Sequence, residues 1–481
     1  MTRILAAIVG LALVSACGPS ERPADRLLAL TSAERLAQLE LRIPELMDSA
    51  GVTGISIAVT TDSGVVWSRG FGVADSVGGE PVSDSSVFEA ASLSKPVFAY
   101  AVLQLVDQGL VDLDIPIADY YEYEAIAHDN RHRQITPRMV LTHSPGFPNW
   151  RPRGGELTID REPGSEFSYS GEGFVYLQHA VMDLTGETLD QLARRLVFDP
   201  LGMTSSSYVW QESFEHVVAL PHGSDGEILR KNKPTAGAGN AAASLHTTAL
   251  DYARFMRAVM HGTGLADSTA KAMLAAQIVI DSGVTWGLGI GLQDNAYGSG
   301  FWHWGDNSGY KAYVIGYPEH GIGVVWFTNS QHGQSLLESM LALTVGGDHP
   351  AAAWLDYEQY DSPKRAVREE LTQVMEDDGV AAAISRYHAM KGSRPAEAFD
   401  EFLLNTLGYR LLRSDRVQDA IAIFELNVAE YPDASNPYDS LGEAYLAAGD
   451  TARAIENYER SVELDPGNTN GIAVLERLRG R

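Results

Sequence analysis

The sequence predicts two domains of different class, an α+β domain built on one antiparallel sheet and then an all-α domain. Three observations carry this. Strand-like text stands at both ends of residues 31–347 with helical text between, irregular text follows from Gly347 to Lys364, and beyond it two segments match each other at a fixed offset. At 481 residues, 45% hydrophobic and 9% aromatic, the chain is long enough for at least two cores. A formal net charge of −27 without any run of lysines or arginines argues against nucleic acid as a partner, and against a membrane met through a basic patch.

At the N-terminus, Met1-Thr2-Arg3 precedes an apolar stretch from Ile4 to Val14 and then Val14-Ser15-Ala16-Cys17. A basic start, a short apolar run and small residues before a cysteine read as a lipoprotein signal peptide over residues 1–17, too short to span a bilayer as a mature helix. Cys17 is the only cysteine and stands where a diacylglyceryl group attaches, so the expected location is the cell envelope, lipid-anchored to a membrane and facing the periplasm or exterior. Residues 18–30 form the tether.

Thr31-Ser32-Ala33-Glu34 has capping-box spacing and opens an amphipathic helix through Leu36, Leu39, Ile43 and Leu46, with a kink expected at Pro44 and an end at Gly51. Gly54 to Val59 and Val65 to Trp67 read as strands joined at Asp62-Ser63-Gly64. Their partners come late, at Trp302 to Tyr317 and Gly321 to Thr328, so the sheet is assembled from both ends of a domain covering 31–347. Helical text between them includes Gly173 to Leu184, Leu189 to Phe198 and Thr248 to Met260.

After a linker at 348–363, residues 364–481 carry the repeat. Leu407 matches Leu441, Gly408 Gly442, Ala420 Ala454, Phe424 Tyr458 and Pro432 Pro466, all at an offset of 34, the tetratricopeptide period. One helix pair cannot bury its apolar face alone, so Ala366 to Met390 is read as a divergent third unit, and the concave groove of such repeats is expected to bind a protein or peptide partner.

The chemistry centres on Ser92-Leu93-Ser94-Lys95, just before an apolar helical run. Side chains at i and i+3 share a helix face, so Lys95 can reach the Ser92 hydroxyl at the first turn. A desolvated lysine can serve as the base that a serine nucleophile needs. Ser-x-x-Lys recurs at Ser268 to Lys271 and Ser308 to Lys311. The first reads as a helix start capped by Asp267 and Ser268 with Lys271 solvated, and the second falls in strand-like text, where i and i+3 diverge. Ser92 has better company: Tyr169-Ser170-Gly171 in a loop behind Pro163-Gly164, and His303-Trp304-Gly305 on an apolar strand.

In this order and spacing, with Phe88-Glu89-Ala90-Ala91 before Ser92, Leu113-Asp114-Ile115-Pro116 after the helix, and Ile135 to Ser144 leading to Pro145-Gly146, the chain resembles the penicillin-recognising serine hydrolases over about residues 31–347. These include class C β-lactamases, DD-carboxypeptidases, esterases and D-aminopeptidases. The resemblance implies an α+β fold of the β-lactamase/DD-peptidase type ahead of the all-α tetratricopeptide domain. It also implies acyl transfer without a metal or cofactor. By residue, Ser92 attacks a carbonyl, Lys95 takes its proton, and Tyr169 relays a proton to the leaving group. The backbone N–H groups of Ser92 and Asp306 form the oxyanion hole, and His303 and Gly305 line the substrate strand, the glycine keeping it open. A nearby cationic lysine is expected to favour the Tyr169 phenolate.

Two departures bear on substrate. The second motif ends in Gly171 where the family places an asparagine that contacts the substrate's amide, and no Tyr-x-Asn occurs in the chain. The third begins with His303 where β-lactamases place lysine, so a fixed cation for a substrate carboxylate is missing near neutral pH. A small-molecule ester or a peptide is therefore expected as substrate ahead of a β-lactam. The alternative is a decayed hydrolase fold serving as a binding scaffold, with Gly171 as its best support. Other motifs fail on context. Gly237 to Ala242 fits a dinucleotide string but follows polar Arg230 to Pro234, and His128 and His132 have metal spacing in a loop that reads as solvated, without a third ligand. Gly-x-Ser-x-Gly does not occur.

Overall fold

The computed structural model describes residues 27–480 except 153 and 236. The expected signal peptide, with Cys17, and residues 18–26 of the expected tether lie outside the described residues. Residues 27–30, read as tether, already belong to the fold, since Leu27 and Leu30 are fully buried. Helix α1 (Ala33–Ala50) is capped by Ser32, whose hydroxyl accepts from the Arg35 N–H, continues through Pro44, and ends at Gly51 with φ 69°.

The strands are β1 (Gly54–Thr61), β2 (Gly64–Gly72), β3 (Phe88–Glu89), β4 (His246–Thr247), β5 (Ile278–Asp281), β6 (Val284–Trp286), β7 (Gly291–Asn295), β8 (Gly298–Asn307), β9 (Tyr310–Tyr317) and β10 (Ile322–Thr328). Eight form one sheet in the order β2-β1-β10-β9-β8-β7-β6-β5, each pair antiparallel. As expected, early β1 pairs with late β10, Ile55 opposite Thr328. Its β-branched text fits the pleated interior, for β1 and β10 are buried along almost their whole length.

The stretch read as one strand from Trp302 to Tyr317 is a hairpin, β8 and β9 turning at Ser308-Gly309. Strands β5 to β7 were not anticipated. The helix expected from Leu189 to Phe198 is α-helical only to Ala193 and widens over Arg194–Phe198. The Asp267–Met273 helix is preceded by Ala266 in the cap position, so Asp267 is its first helical residue and not its cap. Helix α2 (Ser94–Asp107) is apolar almost all round and buried in the middle of the domain, while α3 (Gly171–Thr185) starts directly after the second motif.

The division between units falls between Tyr357 and Glu358. Residues read as linker therefore include α4 (Pro350–Leu355), in which Ala351 is fully buried and its N–H donates to Gln293 Oε1 of β7. The second unit is a stack of helices: α5 (Pro363–Asp377), α6 (Val380–Lys391), α7 (Glu401–Arg413), α8 (Val417–Glu430), α9 (Ser435–Ala447), α10 (Thr451–Leu464) and α11 (Thr469–Arg479). The offset of the repeat is visible as packing. A Cβ on Gly408 would lie 2.5 Å from the Phe424 ring, and one on Gly442 3.0 Å from the Tyr458 ring, so each pair docks an aromatic residue into a glycine notch. Helices α5 and α6, where a divergent third unit was expected, share one core with α7 and α8 through Leu371, Tyr387, Leu404 and Phe424.

Candidate active site

Ser92 lies in a 3-10 turn, Ala91–Leu93, immediately before α2 rather than inside its first α-turn. A small ribbon holds this turn. Strands β3 and β4 pair just upstream, and the Ala90 N–H continues the ladder to Leu245 O at 2.7 Å. Ala91 adopts φ 49°, a left-handed conformation that costs a β-carbon-bearing residue about 1–3 kcal/mol. Buried bonds hold the turn in this shape. Ser94 Oγ donates to Ala91 O at 2.6 Å, Tyr208 Oη to Ser94 O at 2.6 Å, and Tyr252 Oη to Leu93 O at 3.0 Å.

The i, i+3 geometry is realised: Lys95 Nζ lies 3.0 Å from Ser92 Oγ. Its other hydrogen bond, 2.9 Å, goes to Ala242 O, and its side chain is 1% exposed. Both hydrogen-bond partners are uncharged, and burial lowers its pKa from 10.5 to about 7. The Gly237–Ala242 stretch, which superficially fits a dinucleotide motif, is thus the loop that supplies the lysine's carbonyl partner. Gln178 ties that loop down through the Ala241 N–H and Gly239 O, both at 2.8 Å.

Tyr169 lies against Lys95, whose Nζ stands 4.7 Å from the ring centroid. The phenol is not favoured as phenolate, contrary to the sequence expectation. Burial pushes its pKa well up, and the opposing influence is the neighbouring Ser92 hydroxyl, to which Tyr169 Oη makes no closed hydrogen bond. His143, which the motif reading gave no role, holds the tyrosine. Its ring stacks on Tyr169 at 4.2 Å, its Nδ1 accepts from the Ser170 N–H at 3.0 Å, and its carbonyl accepts from the Ser168 N–H at 2.6 Å. His143 also adopts a positive φ, 53°, and burial keeps its imidazole neutral, its pKa well below the usual histidine range.

The third motif sits on β8. His303 is fully buried, and burial first, then Lys95, lower its pKa to about 3, so it is neutral as the substitution implied. Its Nδ1 donates to Trp304 O at 2.8 Å, leaving Nε2 buried without a hydrogen-bond partner among the described residues. Gly305 has a different reason from the one expected. A Cβ there would lie 2.5 Å from Ala90 O, so the glycine lets β8 press against the Ser92 turn. Asp306 follows, its carboxylate 2.7 Å from Lys311 Nζ and accepting from Tyr357 Oη at 2.8 Å.

Lys311 is therefore a buried structural lysine, while Lys271 is exposed, so neither repeat of Ser-x-x-Lys builds a second nucleophile. His132 is fully buried, not solvated. Its Nδ1 lies 2.6 Å from Asp129 O, and exposed His128 does not share its environment. Tyr357 and Trp354, whose ring lies 6.0 Å from that of Trp304, complete the wall beside the third motif. No motif could have announced them, because they come from the stretch that reads as linker.

Residues 39–344 match the family described as Beta-lactamase, and residues 436–468 match the Tetratricopeptide repeat. Penicillin-binding protein 4 of Amycolatopsis lactamdurans is 27% identical over 64% of this chain and 89% of its own length. Esterase EstB of Burkholderia gladioli is 26% identical over 38% of this chain and 54% of its own. Among solved structures, the octameric penicillin-binding protein homologue from Pyrococcus abyssi shares the fold, with a TM-score of 0.56, 22% identity, and coverage of 70% of this chain and 82% of that one.

A desolvated Lys95 has a thermodynamic signature. Its folded pKa lies below its unfolded one, so its penalty on stability is fully present below pH about 7 and relieved as pH rises toward 10.5. Urea unfolding from pH 6 to 10 is expected to show wild-type stability gaining on that of Lys95→Met as pH rises; parallel profiles would contradict the desolvation.

Proposed function

We propose, from the premise that this chain belongs to the beta-lactamase family of serine hydrolases, that it hydrolyses neutral carboxylic esters through an acyl-enzyme on Ser92. The observation that carries this reading is the pairing of Ser92 with a lysine whose pKa burial lowers to about 7, beside a neutral His303 where β-lactamases place a lysine. Neutral Lys95 accepts the Ser92 proton as Oγ bonds to the carbonyl carbon. The resulting oxyanion is assigned to the backbone N–H groups of Ser92 and Asp306, which the close approach of Gly305 to Ala90 supports. As the C–O bond breaks, Tyr169, a protonated phenol, gives its proton to the leaving alkoxide and recovers one from Lys95. Water then attacks the acyl-enzyme by the reverse route and releases the acid.

The substrate argument is electrostatic. His303 is neutral and Lys311 is paired with Asp306, so neither offers a free cation to a carboxylate of the kind borne by β-lactams and peptide C-termini. Similarity to Esterase EstB supports the ester reading. The Met1 to Cys17 text supports export and lipid attachment in the cell envelope, and the tetratricopeptide match supports a protein or peptide partner on the repeat unit.

Purified protein is expected to turn over p-nitrophenyl esters, and Ser92→Ala to abolish both turnover and fluorophosphonate labelling. The kcat/KM should rise with pH and level off above about 7, as Lys95 loses its proton. Ser92-dependent labelling by a fluorescent penicillin without ester turnover would move the assignment to peptide chemistry. Mass spectrometry of protein extracted from membranes is expected to find acylated Cys17 as the first residue; an unmodified N-terminus beyond it would contradict lipid attachment.

A further inference from the structure

The second motif differs from the family's by more than a missing side chain. A Cβ on Gly171 would lie 2.5, 2.6 and 2.9 Å from three atoms of the Trp150 indole. The indole thus fills the place where the family's asparagine would start, two residues from Tyr169. The segment carrying it is clamped on both sides of the tryptophan. Asn149 accepts the Gly171 N–H through its backbone and side-chain oxygens, each at 3.0 Å, and the Glu172 N–H at 3.1 Å. Arg151 binds the Glu172 carboxylate through its backbone N–H at 3.1 Å and its guanidinium at 2.9 and 2.6 Å, a pair with Glu172 only 7% exposed.

Between these fixed neighbours Trp150 remains 45% exposed. A large apolar ring anchored so firmly yet left open is a prepared surface, and Tyr169, two residues from the glycine that the ring covers, forms a tilted aromatic pair with Trp304, centroids 4.7 Å apart.

We infer that Trp150 is a specificity-determining residue, an aromatic wall that selects esters whose acyl group carries a flat apolar substituent. This rests on the esterase reading and names its substrate class. An acyl chain bearing an amide would press its N–H and C=O against the indole, where neither finds the partner that asparagine supplies, whereas a phenyl ring would stack there.

The test compares p-nitrophenyl phenylacetate with p-nitrophenyl acetate, so that only the acyl group changes. Trp150→Ala is expected to lower kcat/KM for the phenylacetate about tenfold more than for the acetate, and Trp150→Phe to restore most of the difference. Equal losses for both esters would show a structural role only and overturn the inference, as would an unchanged ratio. A second readout needs no turnover: saturation-transfer NMR of methyl phenylacetate with Ser92→Ala protein, with and without Trp150→Ala. Binding that depends on Trp150 while the wild type turns over neither ester would count against the hydrolase mechanism and leave the wall standing. Binding that is absent or indifferent to Trp150 would overturn the wall.

Discussion

The site depends on one unfavourable placement, a lysine ammonium removed from water and given an uncharged hydroxyl, a carbonyl and aromatic rings for company. Lys95 is buried because α2 is the central helix of its domain, and its first turn is fixed by tyrosine and serine bonds from distant segments. With a carboxylate beside it the lysine would remain a cation and could not accept a proton. The neutral partners are therefore as much a part of the base as the amine. Burial acts on Tyr169 in the opposite sense and keeps its phenol protonated, still a stronger acid than the alkoxide to which it gives its proton.

Local strain accompanies this arrangement. Ala91 precedes the nucleophile and His143 lies under the tyrosine, and both adopt left-handed backbone that residues with a β-carbon avoid. Each is held by contacts that do not depend on substrate: the β3–β4 ribbon and Gly305 at the first, and the second motif's own N–H groups at the other. The site is thus preorganised by long-range packing, in keeping with chemistry that relies on fixed distances.

Most of what was legible in the sequence was local, the pairing of β1 with distant β10 being the exception. Ser92 and Lys95 are three residues apart, so helical geometry brings them together whatever the rest does, and the β-branched runs of β1 and β10 mark a buried sheet. The helix-pair repeat was legible because its glycine notches recur with its aromatics. The hairpin turn at Ser308-Gly309 does carry a turn signal, Asp306-Asn307-Ser308-Gly309, set between longer strand-like runs, whereas β5 to β7 are hidden by their shortness and the glycines between β6 and β7. Ala242 contributes a backbone carbonyl, which no residue type signals. Trp150 and Tyr357 act through contacts to residues 21 and 51 positions away, beyond any local period. A Tyr169 phenolate is not favoured by the neighbouring lysine because burial of the phenol dominates.

The account turns on the ionisation of one amine, which can be observed directly. Lysine labelled with carbon-13 at Cε, with the Lys95 signal identified by its loss in the variant lacking that lysine, can be titrated by NMR. A midpoint near 7 is the result predicted for a base built by desolvation. A midpoint near the ordinary 10.5 would mean that Lys95 remains a cation at neutral pH, and another group would have to take the proton from Ser92.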